Sequence, residues 1–236
     1  MAPNLEERSR IFAEEVGTLL EATVGCPHSI VSVRVHGSDK FVVRPEETNG
    51  RRSRIPLLVG GEHLADLEIT LFQVLDRSGD HLKTSKTDFR VFSTIDRTPL
   101  LRLEYDSSAS VVPSAHWQFH AERGAFVHLL TIASRTREVG GPGDLSKLHL
   151  PVGGERFRPG LEDLLELLIR DCGIDAEDGW EAAIKEGRKR WRVRQLRSAV
   201  RDQPEEAAEV LRNLGWQVSA SHGSASTPHD DPFTHW

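Results

Sequence analysis

The start of the chain carries hydrophobic residues at helical spacing. Apolar residues recur three and four positions apart between residues 4 and 24, as on the buried face of an α-helix. Asn4 can cap the first turn, and Glu6 and Glu7 suit the positive end of the helix dipole. The pattern therefore predicts a helix over Asn4–Val24, which Gly25 ends.

Between residues 29 and 134 the hydrophobic period changes to two, which is the period of a strand with one buried face. About seven or eight such segments follow one another, and turns rich in Gly or Pro separate most of them. Short connections allow antiparallel neighbours but no parallel crossovers. The clearest predicted strands are Ser29–His36, Arg54–Val59, Leu67–Val74, Leu101–Tyr105, Ala115–Glu122 and Phe126–Ser134, with one more around Phe89 and Val91.

One predicted strand changes phase along its length. Leu67, Ile69 and Leu71 alternate with polar residues, and Phe72 and Val74 then become the apolar set. Such a change predicts a β-bulge or a sharp bend at this point.

Helical spacing returns after a connection over residues 136–154 that Gly and Pro interrupt. Pro159 fits the first turn of a helix with a strong leucine stripe. Glu177–Asp202 predicts a second helix, in which Gly187 is a candidate break, and Pro204–Leu214 predicts a third. Arg156 and Arg158 precede these helices and could place cations at an anion site, although exposed arginines need no function.

The predicted fold is therefore α+β. An N-terminal helix precedes an antiparallel β-sheet, in the form of a curved sheet, a partly open barrel or a sandwich, and about three α-helices follow. We expect residues 1–154 to form the helix and sheet domain, residues 155–218 to form a helical region packed on it, and residues 219–236 to be a disordered tail.

Composition narrows the classes of function. The 236 residues are 38% hydrophobic and 28% charged, and the formal net charge is −6. An acidic chain is not a globally basic nucleic-acid binder, although a local basic patch is compatible with it. Cys26 and Cys172 stand far apart, which fits a reducing compartment. The start of the chain lacks an apolar signal region, and no apolar run approaches the ~20 residues that span a bilayer, so we expect a cytoplasmic protein.

Histidines on the predicted strand Ala115–Glu122 are the first candidate site. His116, His120 and Glu122 share one face of a strand, where two imidazoles and a carboxylate could supply a general acid, a general base or metal ligands. His149 could join them from elsewhere. Residues four apart on a strand are ~13 Å apart, so His116 and His120 cannot share one metal ion on a straight strand. The alternative is a solvated or half-buried polar strand face without function.

An arginine stripe on the second C-terminal helix is the other candidate site. At 100° per residue, four arginines of Lys185–Arg201 fall in one narrow arc, which could bind phosphates or an acidic partner. Trp191 could add stacking on a base. The four arginines are Arg190, Arg194, Arg197 and Arg201.

The alternative for this stripe is pairing within the chain. Glu205, Glu206 and Glu209 head the next predicted helix and could neutralise the arginines. The overall negative charge of the protein favours this alternative.

Two hypotheses of function follow. The preferred one is a binding or regulatory protein that engages an acidic protein or a nucleic acid through the arginine-rich helix. A role in a bacterial stress, toxin–antitoxin or phage-defence system would fit it. The second is a hydrolase or nuclease-like enzyme that uses the histidine and glutamate cluster. The sequence does not specify a metal, a cofactor or an oligomeric state.

Overall fold

The predicted α+β architecture is confirmed by a computed structural model, which describes residues 4–95, 97–120, 150–152, 154–219 and 228–234. The strands are β1 (Ile30–Arg34), β2 (Phe41–Pro45), β3 (Ile55–Val59), β4 (Glu62–Leu75), β5 (Leu82–Ser93), β6 (Pro99–Asp106), β7 (Ala115–Phe119) and β8 (Leu150–Pro151). The helices are α1 (Leu5–Val24), α2 (Gly154–Phe157), α3 (Leu161–Arg170), α4 (Trp180–Asp202), α5 (Pro204–Asn213) and α6 (Asp231–Thr234).

Helix α1 forms where its capping signals predict. The Asn4 side chain accepts a hydrogen bond of 2.9 Å from the backbone N–H of Glu7, which satisfies a donor that the first turn leaves without a helical partner. Gly25 ends the helix in the left-handed conformation, with φ of 65°. Glycine adopts this conformation without the steric cost that a Cβ atom brings.

All strand pairs in the described part of the chain are antiparallel, and they form one open sheet. The order across the sheet is β1-β2-β4-β5-β6-β7-β8, while β3 pairs with the same edge of β4 as β2 does. Strand β4 can pair with both β2 and β3 along this edge because it is 14 residues long. Strands β2 and β8 were not predicted from the sequence, and the predicted strand Phe126–Ser134 lies outside the described residues.

One face of this sheet is apolar, and the helices cover it. Helix α1 packs on β1, β2 and the centre of the sheet, and α4 packs on α1 and α3. Leucines of α3 belong to the same core as the strands. Alternation along each strand directs these residues to one side. Large side chains of this core include Leu20, Val43, Leu67, Ile69, Phe89, Leu103, Leu164 and Leu168.

No helix of the described residues is both long and apolar enough to cross a bilayer. Part of the predicted tail, residues 220–227 and 235–236, lies outside the described residues. Within the rest, Asp231–Thr234 forms a single helical turn. The backbone N–H of His229 donates to the carbonyl of Asp202 at 2.8 Å.

The bulge predicted in β4 occurs at the predicted place, but its extra residue belongs to the partner strand. The pairing of β4 with β5 shifts between Phe72, opposite Lys86, and Gln73, opposite Thr84, so Ser85 is the additional residue. The buried phase of β4 therefore continues through Gln73, which is fully buried. Phe72 and Val74 therefore lie on the less buried face of β4, because the additional residue in β5 accommodates the change of phase.

Helix α4 is continuous, so the candidate break at Gly187 was wrong. Gly187 instead allows α4 to pack closely against α3. The Glu162 side chain, at the start of α3, lies between Gly160 and Gly187. A Cβ atom at Gly187 would stand 2.8 Å from Oε1 of Glu162, and one at Gly160 would stand 2.6 Å from Oε2. The two glycines therefore allow α3 and α4 to approach with a carboxylate between them.

We expect the two helix-interior glycines Gly17 and Gly187 to respond in opposite directions to alanine. A Cβ atom at Gly17 would meet Ile30 at an ordinary 3.6 Å. Gly17→Ala should therefore raise the free energy of unfolding by about 0.5–1 kcal/mol. Gly187→Ala should lower it by about 1–3 kcal/mol, because the new methyl group overpacks Glu162. Urea denaturation of the two variants measures both changes.

A double-mutant cycle with Glu162→Ala identifies the cause. If the carboxylate is the obstacle, Gly187→Ala costs less in the Glu162→Ala background than in the wild type. Equal costs in the two backgrounds would show that another neighbour of Gly187 is responsible.

Candidate functional site

A groove of about 980 Å³ opens beside helix α4. Residues of α1, the β4–β5 hairpin end, α2 and α4 line its walls. Cavities of this order hold small ligands or extended chain segments. A smaller cavity of about 60 Å³ adjoins it, and Phe12, Thr84, Arg158 and Trp191 are among the residues that line both.

The groove is basic, although the protein as a whole carries a net charge of −6. Among the described residues that line it, eight are cationic and four are anionic. A concave surface with one predominant sign of charge concentrates the field and attracts ligands of the opposite sign. The cations are Arg8, Arg77, Lys83, Arg156, Arg158, Arg194, Arg197 and Arg201, and the anions are Glu15, Asp76, Glu155 and Asp202.

The predicted arginine stripe of α4 follows the wall of the groove, and three of its members line it. Arg194 forms an ion pair of 2.7 Å with Glu15 of α1. Arg201 lies 4.0 Å from Asp76 of the hairpin. Arg197 has no ion pair in the part of the chain that the structure describes, and it is exposed.

Arg190, the fourth member of the stripe, lines the smaller cavity rather than the groove. It lies 3.5 Å from Glu186 on the same helix. The stripe therefore divides between the two cavities.

Pairing within the chain, the alternative for this stripe, occurs for Arg190, Arg194 and Arg201, although the partners are not the predicted ones. Glu205, Glu206 and Glu209 are not ion-paired with α4 within the described ranges. The arginines that do pair find their carboxylates on α1, on the hairpin, on α3 or within α4. Three members of the stripe thus line the groove, and among the described residues no carboxylate of α5 pairs with them.

Trp191 contacts an arginine of the protein itself. The guanidinium carbon of Arg158 lies 4.8 Å from the centre of the Trp191 ring and 3.7 Å from the centre of the Tyr105 ring. Arg158 is 6% exposed, so the expectation of an exposed arginine at this position was wrong. Burial lowers the pKa of Arg158 to about 10, which keeps the side chain charged near neutral pH.

An ion-pair chain joins α2 to the end of α4 at one side of the groove. The Glu155 carboxylate lies 3.2 Å from Lys83 and 2.7 Å from Arg156, whose Nε donates to Asp202 at 2.6 Å. His229 lies 3.6 Å from the same aspartate. Burial alone would raise the pKa of Glu155, but Arg156 and Lys83 outweigh burial and lower it. These cations are therefore already engaged by carboxylates.

His116 of the predicted histidine cluster lies away from the groove, on the opposite face of the sheet from the core residue Trp117. His116 is 5% exposed, its Nδ1–H donates to the Pro113 carbonyl at 2.9 Å, and its Nε2 lies 3.3 Å from Glu104. The hydrogen bond from His116 holds the pKa of Glu104 below its usual range. The imidazole of His116 is buried, whereas the Glu104 side chain is 24% exposed and keeps some contact with solvent.

Of the other members of the predicted cluster, the structure describes only His120. His120 follows β7, and its backbone N–H donates to the Leu100 carbonyl at 3.0 Å. Glu122 and His149 lie outside the described residues, so their predicted roles stay predictions. No group of three His, Cys, Asp or Glu side chains among the described residues could hold a metal ion.

We expect the Glu104–His116 pair to make stability depend on pH. A carboxyl group whose pKa is lowered by folding stabilises the protein above its unfolded pKa, near 4.5, and this contribution is lost as the pH falls through the folded pKa. Glu104→Gln should therefore lower the free energy of unfolding near neutral pH, and the difference from the wild type should shrink in acid. Urea denaturation across this range measures it. A difference that stays constant with pH would contradict the assignment.

No family model, no curated protein and no solved structure matches the chain. The chemistry of the basic groove is therefore the observation from which a function is proposed.

Proposed function

We propose that this protein is a non-catalytic binding protein whose groove takes an acidic, partly apolar segment of a partner protein. The observation that carries the proposal is the excess of eight cationic over four anionic side chains along the groove. That excess lies in a protein of net charge −6, so the basic surface is local. Such a surface steers an acidic partner to one place on the molecule.

Two of these cations support the proposal most directly. Arg77 and Arg197 are exposed, line the groove and have no ion pair within the described residues. Their charge is available to a ligand without breaking a contact of the protein. Arg194, in contrast, would have to be shared with Glu15.

Apolar side chains in the same groove favour a peptide. Ile11 and Val200 are 39% and 45% exposed, and Phe12 and Leu82 lie beside them in the lining. Exposed apolar groups rimmed by charges are typical of protein interaction sites. A peptide segment that alternates acidic and apolar residues would match both the cationic and the apolar side chains of the groove.

A nucleic acid matches the groove less well. Its backbone carries a negative charge at every nucleotide, and these charges would meet Glu15, Asp76, Glu155 and Asp202 in the lining. Trp191, the predicted stacking residue, already contacts Arg158. We therefore prefer the acidic protein partner of the two that the sequence suggested.

The other predictions of function stay open to test. Neither Glu104 nor His116 lines the groove or the smaller cavity, so the contacts of the described residues give no support to a hydrolase or nuclease-like activity. The suggested role in a bacterial stress, toxin–antitoxin or phage-defence system stays a prediction.

We expect a double charge reversal in the groove to abolish binding of an acidic peptide. The probe is a short fluorescent peptide of alternating Glu and Leu residues, and fluorescence anisotropy measures its affinity. Arg77→Glu with Arg197→Glu should weaken binding by about tenfold or more, because two attractions become repulsions. Added salt should weaken binding to the wild type as well.

A matched control comes from the same helix. Lys185 and Lys189 are exposed and do not line the groove, so Lys185→Glu with Lys189→Glu makes the same change of charge elsewhere. This control should bind the peptide nearly as the wild type does. Equal losses in both double variants would mean that only the total charge matters, and the groove would not be the site. Tighter binding of a single-stranded oligonucleotide than of the peptide would favour the nucleic-acid partner.

A further inference from the structure

We infer that Arg158, at the junction of the groove and the smaller cavity, is the seat for one oxyanion of the bound ligand, a carboxylate or a phosphate group. This inference rests on the proposed function and specifies it. The groove would attract an acidic segment by its overall charge, and Arg158 would fix one acidic group of that segment in a defined place.

Burial without a carboxylate in ion-pair contact distinguishes Arg158 from Arg156, the other mostly buried arginine among the described residues of the groove. The Arg158 side chain is enclosed, yet it lines both the groove and the smaller cavity. Arg77 and Arg197 are exposed to solvent, where water satisfies a guanidinium. A charge removed from water needs polar partners within the protein or from a ligand.

The protein supplies few such partners to Arg158. Nη1 donates to the backbone carbonyl of Glu155. No carboxylate of the described residues lies within ion-pair distance of the guanidinium. The charge of Glu155 acts on Arg158 from a greater distance, and the Glu155 carboxylate itself pairs with Lys83 and Arg156. A guanidinium has five N–H donors, so most of its capacity is not used by the contacts of the described chain.

The aromatic contacts leave these donors available. Tyr105 and Trp191 contact the guanidinium through their rings, and such contacts neutralise charge without accepting the in-plane N–H groups. They also restrict the orientation of the guanidinium. A planar fork held in one orientation is suited to a carboxylate or phosphate, which can accept two N–H bonds at once.

Two neighbours complete the proposed seat. Thr84 and Arg194 line the same junction between the two cavities. Arg194 offers a second cation, and the Thr84 hydroxyl, which is hydrogen-bonded to the Gln73 side chain, adds a polar wall. Glu15 holds Arg194 at 2.7 Å and also lines the junction. This carboxylate would limit the seat to a single oxyanion, because a second one would meet it.

The test observes Arg158 directly in the folded wild-type protein. Arginine Nε–Hε resonances are recorded by NMR during titration with the peptide of alternating Glu and Leu, with its phosphoserine counterpart and with inorganic phosphate alone. The Arg158 resonance is assigned from the spectrum of Arg158→Lys. It should shift and saturate at the affinity that anisotropy measures, and the peptide that shifts it at the lower concentration identifies carboxylate or phosphate as the preferred group.

Substitution gives an independent measurement. Arg158→Lys keeps the charge but loses the bidentate fork, and it should weaken binding of the preferred peptide by about tenfold. Arg188→Lys is the matched control, because Arg188 binds Asp163 and Glu166 on α3 and does not line the groove. The control should bind as the wild type does.

The outcomes separate this inference from the proposed function. If the peptides bind to the groove but the Arg158 resonance does not move and Arg158→Lys binds normally, the inference fails and the proposed function stands. If phosphate moves the Arg158 resonance but neither peptide binds, the seat exists and the proposed peptide partner is wrong. If no probe binds or shifts the resonance, both are wrong.

Discussion

Burial of one apolar sheet face beneath α1, α3 and α4 is the constraint on which the rest of the structure depends. The two-residue alternation of the strands creates that face, and helical periodicity supplies the apolar sides of the helices that cover it. Since α4 packs on α1 and α3, its arginine stripe is brought to face α1 and the hairpin end. The basic groove is thus a consequence of how the core is covered.

The largely buried charged side chains beside the groove have two kinds of partner. Glu155, Arg156 and Asp202 form a chain in which every charge has an opposite neighbour. Arg158, only two positions from Arg156, has two aromatic rings and a carbonyl instead. The ion pairs of Glu155, Arg156 and Asp202 hold α2 against α4. A buried guanidinium without an ion pair costs free energy of folding, and a bound anion would offset that cost.

The sequence predicted features that arise from local periodicity. The cap at Asn4, the antiparallel strands and the narrow arc of arginines on α4 all follow from the spacing of residues near one another in the chain. Strand β2 escaped prediction because Phe41–Pro45 is only five residues long and has adjacent valines in place of a clear alternation. Strand β8, with two residues, offers too little sequence for any period.

The candidate site could not be predicted from periodicity, because contacts between residues far apart in the chain form it. Glu15, which pairs with Arg194, lies 179 positions away in the chain. Arg158 is buried because Tyr105 of β6 and Trp191 of α4 converge on it, and nothing in its neighbouring sequence distinguishes it from an exposed arginine. The environments of Arg194 and Arg158 are therefore set by the packing of elements that lie far apart in the sequence.

The extra residue in β5 couples strand geometry to the lining of the groove. Before Ser85 the hairpin end directs even-numbered residues such as Thr84 to the side of Gln73, whereas after it the odd-numbered Thr87 and Phe89 take that side. If Ser85 were instead paired as a regular strand residue, the residues of the hairpin end would exchange faces, and Thr84 would leave the junction of the two cavities. The unpaired Ser85 therefore decides which side chains of the hairpin end line the groove, independently of the residues that the helices contribute to it.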